Sequence, residues 1–474
     1  MTSSAIIHGG RRSGARGVVA ALALVLLAAP AAAQSIEDAL TLSYRTNPQL
    51  LAERARQRAT DEQVAQALSN WRPAVTFNAD AGKARDWNHI TDTGTDTTTL
   101  QQRNRTPVTG ALVVRQPLYR GGRTVADTSR AENTVQRGRS LLQNTEQTVL
   151  LDAATAFTNL LRDLAVLDLQ INNEQVLGRQ LQATRDRFQV GEVTRTDVAQ
   201  AEARVERARA QRILAEGNVQ VGRAQYLRVV GELPGRITAA RLPPGLPASQ
   251  AQALQLTSEN PAVTAAIFNE RAARDTVDLV AGELLPTVNL QGTLTRLEES
   301  NARALDRDTA SIALVLAVPL YQQGSVDARV REAKQVAGQR RLEVDDAKRR
   351  AQEQATTAWE ALVTSRASIQ AFAAQIRANE VALEGVEQEA KVGSRTVLDE
   401  LDAEQELLDS KVNLVRAQRD EVVAAYQLAS ATGQLTAQKL GLPVELYDPT
   451  VYYSETRDRW WGTDIREGDT AKPR

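Results

Sequence analysis

Two long stretches without a proline, residues 118–233 and 320–442, constrain this chain more than any other feature of it. Apolar residues recur through them at helical spacing, as at Leu150, Ala154, Phe157, Leu161 and Leu164. A turn signal breaks each stretch near its middle, Gln189-Val190-Gly191-Glu192 in the first and Lys391-Val392-Gly393-Ser394 in the second. Glycine there suits the left-handed position that ends a helix. The spacing predicts a descending helix over about 124–189, roughly 100 Å long at 1.5 Å per residue. Such a helix must coil against neighbours, because its narrow apolar stripe needs covering along the whole length.

The same plan occurs twice. Pro48 and Pro73 match Pro261 and Pro286 at an offset of 213. Downstream, Pro117-Leu118-Tyr119 matches Pro319-Leu320-Tyr321, Gly122 matches Gly324, and Val190-Gly191 matches Val392-Gly393, all at an offset of 202. Asp197 matches Asp399 and Gly231 matches Gly433 in that register, so the chain is a tandem duplication with a longer loop in its first copy. Its expected segments are 1–33, a first repeat 34–248, a second repeat 249–435 and a C-terminal segment 436–474.

Each copy opens with a helix, after Ser35 and again after the N-cap and Pro pairs Asn47-Pro48 and Asn260-Pro261. Pro73 and Pro286 stop these helices. Val75, Phe77, Ala79 and Ala81 then alternate with polar residues, and Val288, Leu290 and Leu294 do the same. Returning strands are expected over Val108–Leu118 and Ser311–Leu320, with polar loops at Lys83–Arg105 and Glu298–Asp308. Four strands cannot close a barrel, for which about eight is the practical minimum. Open edges in lipid would each leave unpaired N–H and C=O groups costing several kcal/mol, so strands from several chains must close the cylinder together.

The N-terminus reads as an export signal. Arg11, Arg12 and Arg16 precede an apolar run from Val18 to Leu27, and Ala31-Ala32-Ala33 offers a cleavage site that would leave Gln34 first. No later stretch offers the 18 consecutive apolar residues of a membrane helix. Lys and Arg number 57 against 58 Asp and Glu, so no bulk field points to a nucleic-acid partner. Cysteine is absent, and the one histidine after the signal, His89, lies in an expected polar loop. With no Gly-rich phosphate loop, zinc spacing or nucleophile elbow, the sequence predicts no enzyme, cofactor or metal site.

The order of signal, duplicated helix, strand pair and long helical hairpin resembles the TolC family of outer-membrane efflux proteins. The motifs that carry the likeness are Arg187-Phe188-Gln189-Val190-Gly191 through Thr196-Asp197, and Val392-Gly393-Ser394-Arg395-Thr396-Val397-Leu398-Asp399-Glu400-Leu401-Asp402-Ala403. The tail Leu446-Tyr447-Asp448-Pro449 and Arg457-Asp458-Arg459-Trp460-Trp461-Gly462 resembles the type I secretion branch. The resemblance implies a mainly α fold in a homotrimer. Its long helical hairpins would form an α-barrel across the periplasm, and four strands per chain would complete a 12-stranded transmembrane β-barrel in outer-membrane lipid. It implies as partners a periplasmic adaptor (membrane fusion) protein and an inner-membrane pump or ABC transporter. The rival classes are a soluble periplasmic coiled-coil adaptor and a structural coiled coil without a pore.

The same resemblance assigns residues. Asp399 and Asp402, on one helix face, match the carboxylates that ring the periplasmic aperture, where six in a trimer would favour cations. By themselves two acids on a helix are a solvated face. Arg395 matches the gate arginine, with Thr196 and Asp197 as its partners on the neighbouring helix pair in a charge-assisted latch. An ordinary surface ion pair, the plainer alternative, is worth under about 1 kcal/mol. Ala390 stands where the family's latch tyrosine is expected, which loosens such a gate. Val190, Gly191, Val392 and Gly393 mark hairpin tips where an adaptor would dock, besides their plain role of ending helices. Residues 231–249 and the tail after Thr436 are expected to form an equatorial belt. Tyr452, Tyr453, Trp460 and Trp461 suit an aromatic belt at a membrane interface, but their place after the last helix favours equatorial packing.

Overall fold

The computed structural model describes residues 34–298 and 306–465. The expected signal 1–33, most of the Glu298–Asp308 loop and the end Thr470–Arg474 lie outside the described residues.

Helix α1 (Ile36–Thr46) begins at a capping box: Ser35 Oγ accepts from the Asp38 amide at 3.2 Å, and Asp38 Oδ2 accepts from the Ser35 amide at 2.9 Å. Asn47 caps α2 (Pro48–Ser69), accepting from the Gln49 amide, while its Nδ2 donates to the Val229 carbonyl at 3.0 Å. The second copy repeats this device after a short helix α5 (Gln250–Leu256). Asn260 caps α6 (Pro261–Ala281) and donates to the Ala431 carbonyl at 3.0 Å. One side chain thus starts a helix and ties it to the end of another.

The strands β1 (Ala74–Ala81), β4 (Val108–Arg120), β5 (Thr287–Glu298) and β6 (Arg307–Ala317) form one antiparallel sheet in the order β1-β4-β5-β6. Its register puts Phe77 opposite Leu112, Leu112 opposite Leu294, and Leu290 opposite Leu314, so one face is apolar from edge to edge. Phe77, Ile312 and Leu314 stand 70%, 82% and 65% exposed on it, which is what a lipid-facing surface looks like without its lipid. Asn78, Thr293, Gln291 and Thr76 occupy the other face. Pro117, which has no N–H for the ladder, sits at a shift of register that leaves Leu118 unpaired.

The expected polar loop Lys83–Arg105 is corrected by the structure. It is a two-stranded ribbon, β2 (Ala84–Asp92) paired with β3 (Thr97–Arg105). The ribbon is rich in threonine, which suits a strand, but has no continuous apolar face, so the period-two signal is missing. Thr91 and Thr98 hydroxyls bond across it at 3.0 Å, and Arg105 pairs with Asp86 at 2.7 Å.

The long helices are α3 (Arg123–Gln189), α4 (Arg195–Val230), α7 (Ser325–Lys391) and α8 (Val397–Ala431). Both descending helices have 67 residues, about 100 Å. Small residues recur every seventh position on their buried seams: Ala201, Ala208, Ala215 and Gly222 in α4, and Ser410, Ala417, Ala424 and Ala431 in α8. In α7 Val344, Ala351, Ala358 and Ser365 keep the same seven-residue spacing, small from Ala351 onward. A strict seven-residue repeat coils helices left-handedly, and small side chains let the backbones approach closely. The helices lie as a layer in the order α7, α8, α3, α4.

The widest core lies where α1, α3, α4 and α8 meet the segment 435–447. Leu40, Tyr44, Leu150, Phe157, Leu160, Tyr226, Tyr426 and Leu435 fill it. Residues 231–249 are irregular and join this belt, with Gln34 bridged to Ile237. Helix α9 (Pro449–Thr456) then climbs α2 toward the sheet: Tyr452 Oη donates to Glu62 at 2.9 Å, and Arg139 lies over the Tyr453 ring at 5.1 Å. The equatorial placement expected for all four tail aromatics is therefore corrected: Tyr452 and Tyr453 pack along α2, Tyr453 on the separate cluster of Val64, Ala67, Ala131 and Val135, and Trp460 and Trp461 follow. They sit higher, beside Arg72 at the foot of β1, because the helix carries the chain upward.

Candidate functional site at the hairpin tips

Backbone chemistry builds both tips alike. Gly191 and Gly393 take φ of +84° and +80°, open to a glycine and strained for other residues. The Glu192 amide donates to the Arg187 carbonyl and the Ser394 amide to the Glu389 carbonyl, both at 2.9 Å, closing the two helix ends. Val190 and Val392 are left 72% and 80% exposed at the extreme ends. The ascending helices restart at matching boxes, with Thr194 bonded to Asp197 and Thr396 to Asp399.

These boxes occupy two of the expected site residues. Asp399 Oδ2 accepts from the Thr396 amide at 3.0 Å and hydroxyl at 2.8 Å, and these donors hold its carboxyl below the usual carboxylate range. Asp197 Oδ2 likewise accepts from the Thr194 amide and hydroxyl, both at 2.8 Å. Arg395 folds back within its own tip, donating from Nε to Glu389 Oε2 at 2.7 Å. Within one chain, then, Arg395 is not brought to Thr196 or Asp197; Thr196 is exposed on the first turn of α4. Ala390 is buried, where a tyrosine would not fit without displacement.

Asp402 is the exception. Its Oδ1 accepts from Arg204 Nη2 at 2.5 Å, a bond that crosses from α4 to α8. Beneath it Leu177, Ala208, Val397 and Leu401 form a small apolar cluster that seats the first turn of α8 on α3 and α4. Alongside, burial pushes Glu400 up, and burial with the like charges of Glu387 and Glu400 pushes Glu404 up. Asn379 Nδ2 donates to Ser410 Oγ at 2.8 Å, fastening α7 to α8. Sequence reasoning missed Arg204, because one arginine among many on a polar helix face carries no local mark of its partner 198 residues away.

An amphipathic sheet with unpaired edges, continuous with helices about 100 Å long that end in exposed tips, defines a subunit of a duct running from a bilayer to a distant point. Comparison with known proteins agrees. The chain belongs to the outer membrane efflux protein family, whose profile matches residues 40–232 and 253–434. It is 35% identical to the outer membrane efflux protein BepC of Brucella suis over 94% of this chain and 95% of that one. It is 24% identical to the alkaline protease secretion protein AprF of Pseudomonas aeruginosa, over 88% of each. In fold it is similar to the CmeC outer membrane channel of Campylobacter jejuni, with a TM-score of 0.73, 15% identity and coverage of 89% of both chains.

Proposed function

We propose that three copies of this chain form an outer-membrane export duct serving a tripartite efflux pump, a type I secretion system, or both. The observation that carries this reading is the four-stranded sheet with one apolar face and two open edges, β1 and β6. Three such sheets joined edge to edge supply 12 strands, enough to close a barrel and pair every edge group. The helical layer supports the same closure. Its flanking helices α4 and α7 leave Ile213, Leu214 and Val221 on one flank and Leu342 and Val381 on the other exposed, ready to be covered by adjacent copies. In this assembly the repeats 34–248 and 249–435 line a pseudo-sixfold tube.

The tips form the periplasmic gate. Asp399 and Asp402 ring the aperture, and Arg204 holds Asp402, and with it α8, to α4 of the same chain. Arg395 reaches Thr196 and Asp197 of the adjacent chain in the closed state. The exposed tips Val190, Gly191, Val392 and Gly393 receive a periplasmic adaptor, which hands over cargo from an inner-membrane pump or ABC transporter. The duct itself performs no catalysis. Purified mature protein in planar lipid bilayers should give discrete single-channel currents and a trimeric mass in detergent; a water-soluble monomer without conductance would overturn the reading.

A further inference from the structure

The chain contains five tryptophans, and two of them, Trp460 and Trp461, are 62% and 85% exposed in the C-terminal tail. Two adjacent indoles open to water are unfavourable unless something covers them. The tail is nevertheless pinned in place. Arg457 Nη2 donates to Glu132 at 3.0 Å, and Arg72 Nη1 donates to the Arg459 carbonyl at 2.6 Å. The Arg72 guanidinium also lies over the Trp460 ring at 4.9 Å, and Arg459 Nη1 donates to the Asp464 carbonyl at 2.8 Å.

The place where it is pinned is the foot of the sheet's apolar face. Gln116 lies opposite Leu290 on that face, and its Nε2 donates to the Trp71 carbonyl at 2.8 Å. Trp71, itself 46% exposed, immediately precedes Arg72, and β1 begins two residues later. So the foot of the apolar face, at Gln116, is tied to Trp71, and the next residue, Arg72, lies over Trp460 with Trp461 following it. Charge changes at the same level. Among the described residues, Arg72 and Arg459 bond only to backbone carbonyls and an aromatic ring and have no carboxylate partner, so their charge is left for an anion.

Indoles prefer the boundary where hydrocarbon meets headgroups, and guanidinium groups prefer phosphate. We infer that the segment from α9 to Trp461 is a membrane strap, whose Trp460-Trp461 pair, with Arg72 and Arg459, docks in the phospholipid headgroup layer of the periplasmic leaflet. This rests on the proposal that the sheet spans the outer membrane. It gives the tail a function separate from the duct: setting the depth at which the helical barrel hangs below the bilayer.

The test is depth-dependent fluorescence quenching of the trimer in phospholipid vesicles. A chain carrying Trp71→Phe, Trp87→Phe and Trp359→Phe reports only the tail indoles. A headgroup-attached nitroxide should quench them about twofold more than one deep in the acyl chain, as expected for an interfacial indole. If that chain fails to assemble, the difference between the parent protein and a Trp460→Phe, Trp461→Phe variant reads the same signal. Adding Phe77→Trp to the reporter chain places an indole at mid-sheet. Deep quenching of that indole with no lipid quenching of the tail, which iodide in the water quenches instead, overturns the strap and leaves the spanning sheet intact. Absence of deep quenching at position 77 overturns both.

Discussion

At the scale of single residues, Asp61 is a buried acid without full hydrogen bonding. It is fully buried beside α3, accepting from Gln57 Nε2 at 2.8 Å, while its Oδ2 and Gln57 Oε1 have no protein partner. Burial pushes its carboxyl up to about 6, against the opposing pull of Gln57 and Arg139. An acid whose folded value exceeds its unfolded one binds protons more tightly when folded, so it favours folding at low pH. That contribution fades as pH rises from the unfolded value through about 6. Lowering pH from 7 to 5 should therefore recover about 1 kcal/mol per chain from this group. Asp61→Asn should flatten that part of the melting temperature's pH dependence, and an unchanged slope would refute the assignment. The gate offers a second residue-scale prediction. Arg204→Ser or Asp402→Ser should raise single-channel conductance, and the exchange Arg204→Asp with Asp402→Arg should restore it. A partly exposed ion pair of up to about 1 kcal/mol shifts the closed population by about fivefold. Failure of the exchange to rescue would remove this pair from the latch. Asp399 was legible as a site candidate from its motif, yet its cap bonds also follow from the Thr396-x-x-Asp399 spacing. Arg204 was not legible, because its meaning lies on another helix.

At the scale of elements, sequence reading succeeded at most boundaries that backbone chemistry marks, though it passed over the Asp448-Pro449 cap that starts α9. Asn47-Pro48, Asn260-Pro261 and the tip glycines gave the helix ends, and alternation gave the four strands of the sheet. It failed on β2 and β3, whose lack of a continuous apolar face removed the alternation that identifies a strand. It also singled out Gly122 but passed over Gly121. Both have positive φ, +66° at Gly121 and +74° at Gly122. A methyl at Gly122 would meet nothing within 4 Å, whereas one at Gly121 would strike the Gly282 carbonyl and come within 2.8 Å of Leu285 Cβ. Gly122→Ala should cost about 1–2 kcal/mol, the price of a left-handed alanine. Gly121→Ala should cost at least about 2 kcal/mol more, since backbone at the sheet–helix junction must move. Thermal unfolding of the detergent-solubilised trimer measures both, and equal shifts would show that the close approach is unimportant.

At the scale of the whole molecule, assembly is the central prediction. The chain has no cysteine, so engineered thiols report without interference. Phe77→Cys on β1, combined in turn with Ile312→Cys, Leu314→Cys or Leu316→Cys on β6, samples three registers of the joint between neighbouring copies. One combination should yield covalent dimers and trimers on oxidation, and nothing larger. Ladders beyond the trimer, or no cross-link in any register, would contradict closure by three. The sequence by itself determined the duplicated order of elements, the helix lengths and the strand alternation, because caps, turn glycines and hydrophobic periods act over a few residues. Only the tertiary structure decided that Asp402 meets Arg204, that β1 and β6 are the open edges, and that the tail carries Trp460 and Trp461 to the foot of the sheet. Those outcomes depend on how long helices and strands register against one another, and a polar helix face rich in interchangeable charges holds no local record of which partner the packing will bring.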